Sequence, residues 1–143
     1  MLLNINLDKI ADLDFKTKEA YKTLRTNVQF CGENVKVVSL TSCVPNEGKS
    51  MVAFNLAVSM AESGKKVLFV DADLRKSVLI GRYKINKAIK GLTQYLSGVE
   101  ELDQVKYTTN VPCLDMILSG PVPPNPAELL DSEKFTELVE RAR

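Results

Sequence analysis

Gly48, Lys49 and Ser50 close the stretch Ser42-Cys43-Val44-Pro45-Asn46-Glu47-Gly48-Lys49-Ser50, and their types and order suit one chemistry, the holding of nucleotide phosphates. In the pattern G-x-x-x-x-G-K-[ST], backbone N–H groups and a helix N-terminus hold phosphate oxygens. The Lys reaches the β and γ phosphates and the hydroxyl ligates Mg²⁺. Pro45, Asn46, Glu47, Gly48, Lys49, Ser50 and Met51 are therefore the candidate nucleotide-binding residues. Cys43 stands where the pattern has its first Gly, which normally relieves a tight turn; another residue serves if the local dihedrals allow it. Cys43 is read as a small residue tolerated there rather than as a reactive thiol.

Asp71-Ala72-Asp73 supplies a second set of groups. Two carboxylates two apart at the carboxyl end of a strand point the same way if the strand continues. In open parallel sheets ligands sit beyond those ends, which puts Asp71 and Asp73 on the rim of the phosphate loop. Beside a Mg²⁺-bound triphosphate such carboxylates hold the metal directly or through water, or accept a proton from an attacking hydroxyl. Lys49, Asp71 and Asp73 are thus the catalytic candidates, and Ser50, Asp71 and Asp73 the metal candidates. The chain has no His, which removes imidazole acid/base chemistry and His-containing zinc sites. Cys31, Cys43 and Cys113 form no C-x-x-C pair and read as reduced thiols.

These groups need a strand, a loop and a helix in succession. Residues 35–40 (VKVVSL) read as a buried strand entering the loop. Val52, Ala53, Leu56, Ala57, Met60 and Ala61 then recur at helical spacing until Gly64. A second strand is expected over 65–70, leading into Asp71, and a third over 114–118, entered from Pro112 and left through the proline-rich segment 119–124. Upstream, 17–30 reads as a helix with Ala20, Leu24 and Val28 on its buried side, Tyr21 at the margin and Gly32 past its end. Glu19, Lys22 and Arg25 lie on its polar stripe, where spacing alone implies a solvated face with weak pairing of about 0.2–0.5 kcal/mol. Residues 76–90 hold Gly81, Arg82 and Tyr83 in a loop, 91–98 is a short helix bounded by glycines, and Tyr83 and Tyr95 are packing residues. Asn125-Pro126-Ala127-Glu128 starts a helix with an N-cap and Pro at its first position, and Phe135, Leu138, Val139 and Ala142 mark the face of another. Residues 1–16 carry no clear period and read as an N-terminal arm.

At 143 residues, with 45% hydrophobic and 26% charged residues, the chain suits one soluble α/β domain. A net charge of +1 without a basic tract gives no support for non-specific nucleic-acid binding. No apolar run approaches the length of a membrane span, and the first ten residues lack the pattern of a signal peptide, so the expected location is the cytoplasm.

Four stretches together resemble the bacterial tyrosine kinases of capsular and exopolysaccharide synthesis, of the cytoplasmic type related to the MinD and ParA ATPases. EAYKTLRTNVQF is similar to the first helix of that family, TSCVPNEGKS to its Walker A loop, VLFVDADLR to its Walker A′ motif and SGPVPPNPAELL to a segment characteristic of it. The resemblance implies a P-loop NTPase-type, doubly wound, mainly parallel sheet with helices on both faces. It implies ATP and Mg²⁺ as cofactors and autophosphorylation on tyrosine. It also implies a homo-oligomeric ring through an E-x-x-R-x-x-R motif matched by Glu19, Lys22 and Arg25, with Lys22 in place of the first Arg. A separate membrane adaptor, of the polysaccharide chain-length regulator type, would supply an activating cytoplasmic tail at the inner face of the membrane. The family's Walker B strand and tyrosine cluster have no counterpart in residues 1–143, so the sheet is expected to be incomplete. Two other functions compete: a MinD- or ParA-like ATPase, which usually carries a further Lys near the start of the loop, and a nucleotide-binding interaction module without turnover.

Overall fold

The computed structural model describes residues 3–7, 12–85 and 89–143. Among the described residues four short strands form one sheet: β1 (Leu3–Ile5), β2 (Val67–Val70), β3 (Lys106–Thr109) and β4 (Leu114–Ile117). Their order is β1-β3-β4-β2, with β1–β3 and β2–β4 parallel and β3–β4 antiparallel. The antiparallel pair follows from chain length, because the few residues between Thr109 and Leu114 allow a hairpin but not a crossover. Thr109 closes that turn: its Oγ1 donates to Leu114 O at 2.8 Å and accepts from Val111 N at 3.1 Å.

Side chains along β2 alternate between two cores. Val67 and Phe69 pack with Phe54, Leu79, Tyr83, Leu114 and Met116 on one face. Leu68 and Val70 pack with Leu92, Leu96, Val105, Ile117 and Leu138 on the other. A sheet apolar on both faces must be covered on both. Helices α2 (Lys49–Glu62) and α3 (Leu79–Arg82) cover the first face; α4 (Leu92–Leu96), α5 (Leu102–Val105), α6 (Pro126–Leu130) and α7 (Glu133–Ala142) contribute to the second. Helix α1 (Phe15–Phe30) packs on α2 and buries no residue fully. The mixed, mainly parallel sheet covered on both faces is the expected fold class.

Several elements differ from expectation. Residues 35–40 form no strand; Val35, Val37 and Val38 are exposed, and β2 ends the described sheet. A short apolar strand between two sheet neighbours is held by ladders on both edges. Among the described residues no strand lies on its far side. The arm 1–16 contains β1, and the stretch 76–90 contains the helix α3, in which Leu79 is buried; residues 86–88 of that stretch and 8–11 of the arm lie outside the described residues. Ala20 and Leu24 are exposed rather than buried, because α1 meets α2 through Tyr21, Arg25 and Val28, all half-buried. Asn125 makes no side-chain cap; its Nδ2 donates instead to Glu128 Oε2 at 3.3 Å.

Candidate active site

The loop before α2 turns through two left-handed residues, Asn46 (φ 64°) and Gly48 (φ 84°), while Cys43 is not in that region. This accounts for Cys43 in place of Gly: the positive-φ positions carry Asn, which tolerates them, and Gly, which prefers them. Glu47 braces the loop from within, its Oε2 accepting from Cys43 N at 3.1 Å and Val44 N at 3.5 Å. Gly48 caps α2 with no side-chain hydrogen bond, and the first turn carries no acidic residue. The amides at the start of this 14-residue helix therefore stay available to an anion, and the helix dipole favours one there. Lys49 and Ser50 occupy its first two positions, both half-buried, followed by the exposed Met51.

The carboxylates arrive from β2. Asp71 N donates to Ile117 O at 2.9 Å, which extends the ladder to β4 by one bond before the chain turns away. The strand does not continue, so Asp71 and Asp73 sit in different surroundings. Asp71 is 7% exposed; its Oδ1 accepts from Asp73 N at 3.2 Å and its Oδ2 accepts from the Ser77 hydroxyl. Burial holds the Asp71 carboxyl above its ordinary range, opposed by the hydrogen bonds from Ser77 and Asp73 N. Asp73 is half-buried, its Oδ1 accepts from Lys76 N at 3.0 Å, and its Oδ2 lies 3.9 Å from Lys49 Nζ.

The fold thus joins Lys49, Asp73 and Asp71 at one rim. Glu19, Lys22 and Arg25 are elsewhere, on α1. Lys22 Nζ pairs with Glu19 Oε1 at 2.9 Å in solvent. Arg25 is half-buried, and its Nη1 donates to Ser59 O at 2.7 Å and Ser59 Oγ at 3.2 Å, tying α1 to α2. Sequence reasoning missed Ser59 and Ser77, because neither bond has a spacing signature. The missed strands did carry one. Leu3, Ile5 and Leu7 alternate at period two, and Tyr107-Thr108-Thr109 is rich in strand-favouring residues.

The donors at this rim are oxygens from a hydroxyl and two carboxylates, beside a Lys and a free helix N-terminus. That set fits a nucleotide carrying Mg²⁺, a cation that prefers oxygen and uses one or two carboxylates plus phosphate and water. Among the described residues no three His, Cys, Asp or Glu side chains converge into a closed metal cage.

The profile of the CobQ/CobB/MinD/ParA nucleotide binding domain matches residues 38–141, and the chain belongs to that family. Within it, the chain is 46% identical over 125 residues to the tyrosine-protein kinase CpsD of Streptococcus agalactiae, covering 87% of this chain and 55% of the relative. The tyrosine-protein kinase YwqD of Bacillus subtilis is 44% identical over 126 residues, covering 87% of this chain and 53% of the relative. The solved BceF tyrosine kinase domain superposes with a TM-score of 0.82 at 37% identity, covering 96% of this chain and 55% of that one. The chain spans about half the length of the curated relatives it matches.

Proposed function

We propose that this chain is the nucleotide-binding portion of an ATP-dependent protein-tyrosine kinase that autophosphorylates and regulates capsular or exopolysaccharide synthesis and export. The observation that carries the reading is the approach of Lys49, at the start of α2, to Asp73 beyond β2 at 3.9 Å, in a chain whose relatives are named tyrosine-protein kinases.

In this reading the backbone N–H groups of 46–51 and the Lys49 ammonium hold the triphosphate of ATP. Ser50 and the Asp71–Asp73 pair would hold Mg²⁺ directly or through water, and the ion supplies neutralisation of phosphate charge. A tyrosine phenol oxygen attacks the γ phosphorus. The new O–P bond forms as the bond from the γ phosphorus to the bridging oxygen breaks, ADP leaves, and the phenolic proton passes to Asp71. Each Asp71 oxygen accepts one hydrogen bond within the fold, which leaves an acceptor direction for that proton.

The proposal extends to assembly. A membrane adaptor with an activating cytoplasmic tail completes the kinase and brings it to the inner face of the membrane, and Glu19, Lys22 and Arg25 contribute to a homo-oligomeric ring. Among the described residues no helix is long and apolar enough to cross a membrane. The test incubates the full-length gene product with the adaptor tail, ATP and Mg²⁺ and reads phosphotyrosine by mass spectrometry. Wild type is expected to be labelled and Lys49→Met not. Phosphate release coupled to dimerisation, with no phosphotyrosine, would assign a MinD-like ATPase instead.

A further inference from the structure

We infer that Ser77 is a positioning residue for the reaction, orienting the carboxylate of Asp71 by a hydrogen bond to its Oδ2. The inference rests on the reading of Asp71 and Asp73 as the carboxylates that face Mg²⁺ and the attacking phenol.

The loop 71–77 is built to return Ser77 to the strand end. Leu74 N donates to Ala72 O at 3.0 Å and Lys76 N to Asp73 Oδ1 at 3.0 Å, which tightens the turn from within. The chain on either side of Ser77 is anchored in different cores. Leu74 is 3% exposed in the core shared with α4, α5 and α7, and Leu79 is 1% exposed in the core shared with α2. Between these anchors Ser77, half-buried, reaches back six residues to Asp71.

Asp71 thereby receives one donor on each oxygen, Asp73 N on Oδ1 and Ser77 Oγ on Oδ2. Each carboxylate oxygen has two acceptor directions, so one remains on each for a water on a divalent cation or for a substrate proton. The two donors hold the carboxylate plane from both ends, so the remaining directions are set before any ligand arrives. Without the hydroxyl, only Asp73 N would restrain a buried carboxylate that can turn about its side-chain torsions. Groups that orient a metal-facing carboxylate typically cost about 10–100-fold in metal affinity or activity when removed. Ser77 has no part in phosphate binding in this arrangement, so its loss is expected to appear in the metal-dependent part of affinity and in turnover.

The experiment compares Ser77→Ala and Ser77→Thr with wild type in the full-length protein. Affinity for a fluorescent ATP analogue is titrated first in EDTA and then at saturating Mg²⁺. The expected result is equal affinity in EDTA, with the gain that Mg²⁺ confers on wild type reduced about tenfold in Ser77→Ala and restored to within about threefold in Ser77→Thr. With the adaptor tail present, kcat for tyrosine phosphorylation is expected to fall about 10–100-fold in Ser77→Ala while KM for ATP stays within about twofold. An unchanged Mg²⁺ gain in Ser77→Ala overturns the inference, as does failure of Thr to restore it. Should Ser77→Ala melt below the assay temperature, Ser77→Val against Ser77→Thr carries the same comparison, because the two differ chiefly by the hydroxyl. A protein that shows the Ser77-dependent Mg²⁺ gain yet never phosphorylates tyrosine sinks the kinase reading and leaves the role of Ser77 intact.

Discussion

Lys49 Nζ stands 3.9 Å from Asp73 Oδ2, linking the first residue of α2 to the loop beyond β2 across 24 positions of sequence. Both side chains keep about a third of their surface, 36% and 27%. A pair so open to water contributes only about 0–1 kcal/mol to stability, so its meaning is chemical. Lys49→Met is therefore expected to weaken nucleotide binding by about 100-fold, roughly 2.7 kcal/mol, with little change in the thermal midpoint. Parallel binding and melting curves check this; a collapse of the melt would mean that the pair is structural.

Removing the charge of Asp71 has a signed effect on pH dependence. Its native pKa is raised by burial, so the folded state keeps the proton longer than the unfolded chain does. The stability this group contributes is fully present below its unfolded value of 3.8 and falls as pH rises through the higher native value. At neutral pH the ionised carboxylate is carried at a cost. Asp71→Asn should be more resistant to urea than wild type at pH 7, with the difference shrinking toward acid, while tyrosine phosphorylation is lost. Equal stability at both pH values would contradict the burial argument.

Lys22 and Arg25, neighbours on one polar stripe, should separate under mutation. Lys22→Ala breaks an exposed pair worth about 0.2–0.5 kcal/mol and should alter assembly alone. Arg25→Ala removes a charged donor from Ser59 O and Ser59 Oγ and should destabilise the fold by about 1.5–3 kcal/mol as well. Size-exclusion profiles beside denaturant titrations distinguish the two effects.

The contact of Gly91 with Gly120 is backbone against backbone. A Cβ at 91 would stand 2.3 Å from Gly120 N and 2.5 Å from Leu118 O, and neither atom can swing away. Gly91→Ala should cost about 1–3 kcal/mol or more. Gly81→Ala, in α3 with nothing within 4 Å of the new methyl, should be neutral or stabilising by up to about 1 kcal/mol. Urea midpoints measured side by side check the contrast.

Tyr83, Tyr95 and Tyr107 are 3%, 3% and 7% exposed. Burial raises the pKa of the Tyr83 and Tyr107 phenols, and Tyr107 also donates to Lys90 O at 3.0 Å. None of the three phenols can enter an active site without local unfolding. Peptide mapping of the autophosphorylated protein should find phosphate on none of them; substantial label there would show that this part of the fold opens during the reaction.

The turn before α2 and the helix behind it were legible in residue order, because each depends on neighbours in sequence. Gly48-Lys49-Ser50 follows from local backbone chemistry, and the run Val52 to Ala61 from the helical period. The expectation that Tyr83 and Tyr95 pack inside agrees with their burial, 3% exposed each. Residues 35–40 show the limit. Their apolar, β-branched run reads as a strand, yet a strand exists only where partners meet its edges, and those partners are remote in sequence.

The sequence by itself named the candidate groups for phosphate and metal, and determined that a helix, α2, would start at Lys49. Tertiary structure decided what each group faces. It buried Asp71 against Ser77 while leaving Asp73 open toward Lys49, and it turned Arg25 from a solvated stripe onto Ser59. The physical reason is that charge and hydrogen-bonding type belong to a residue, whereas desolvation and partnership depend on which distant segments pack around it.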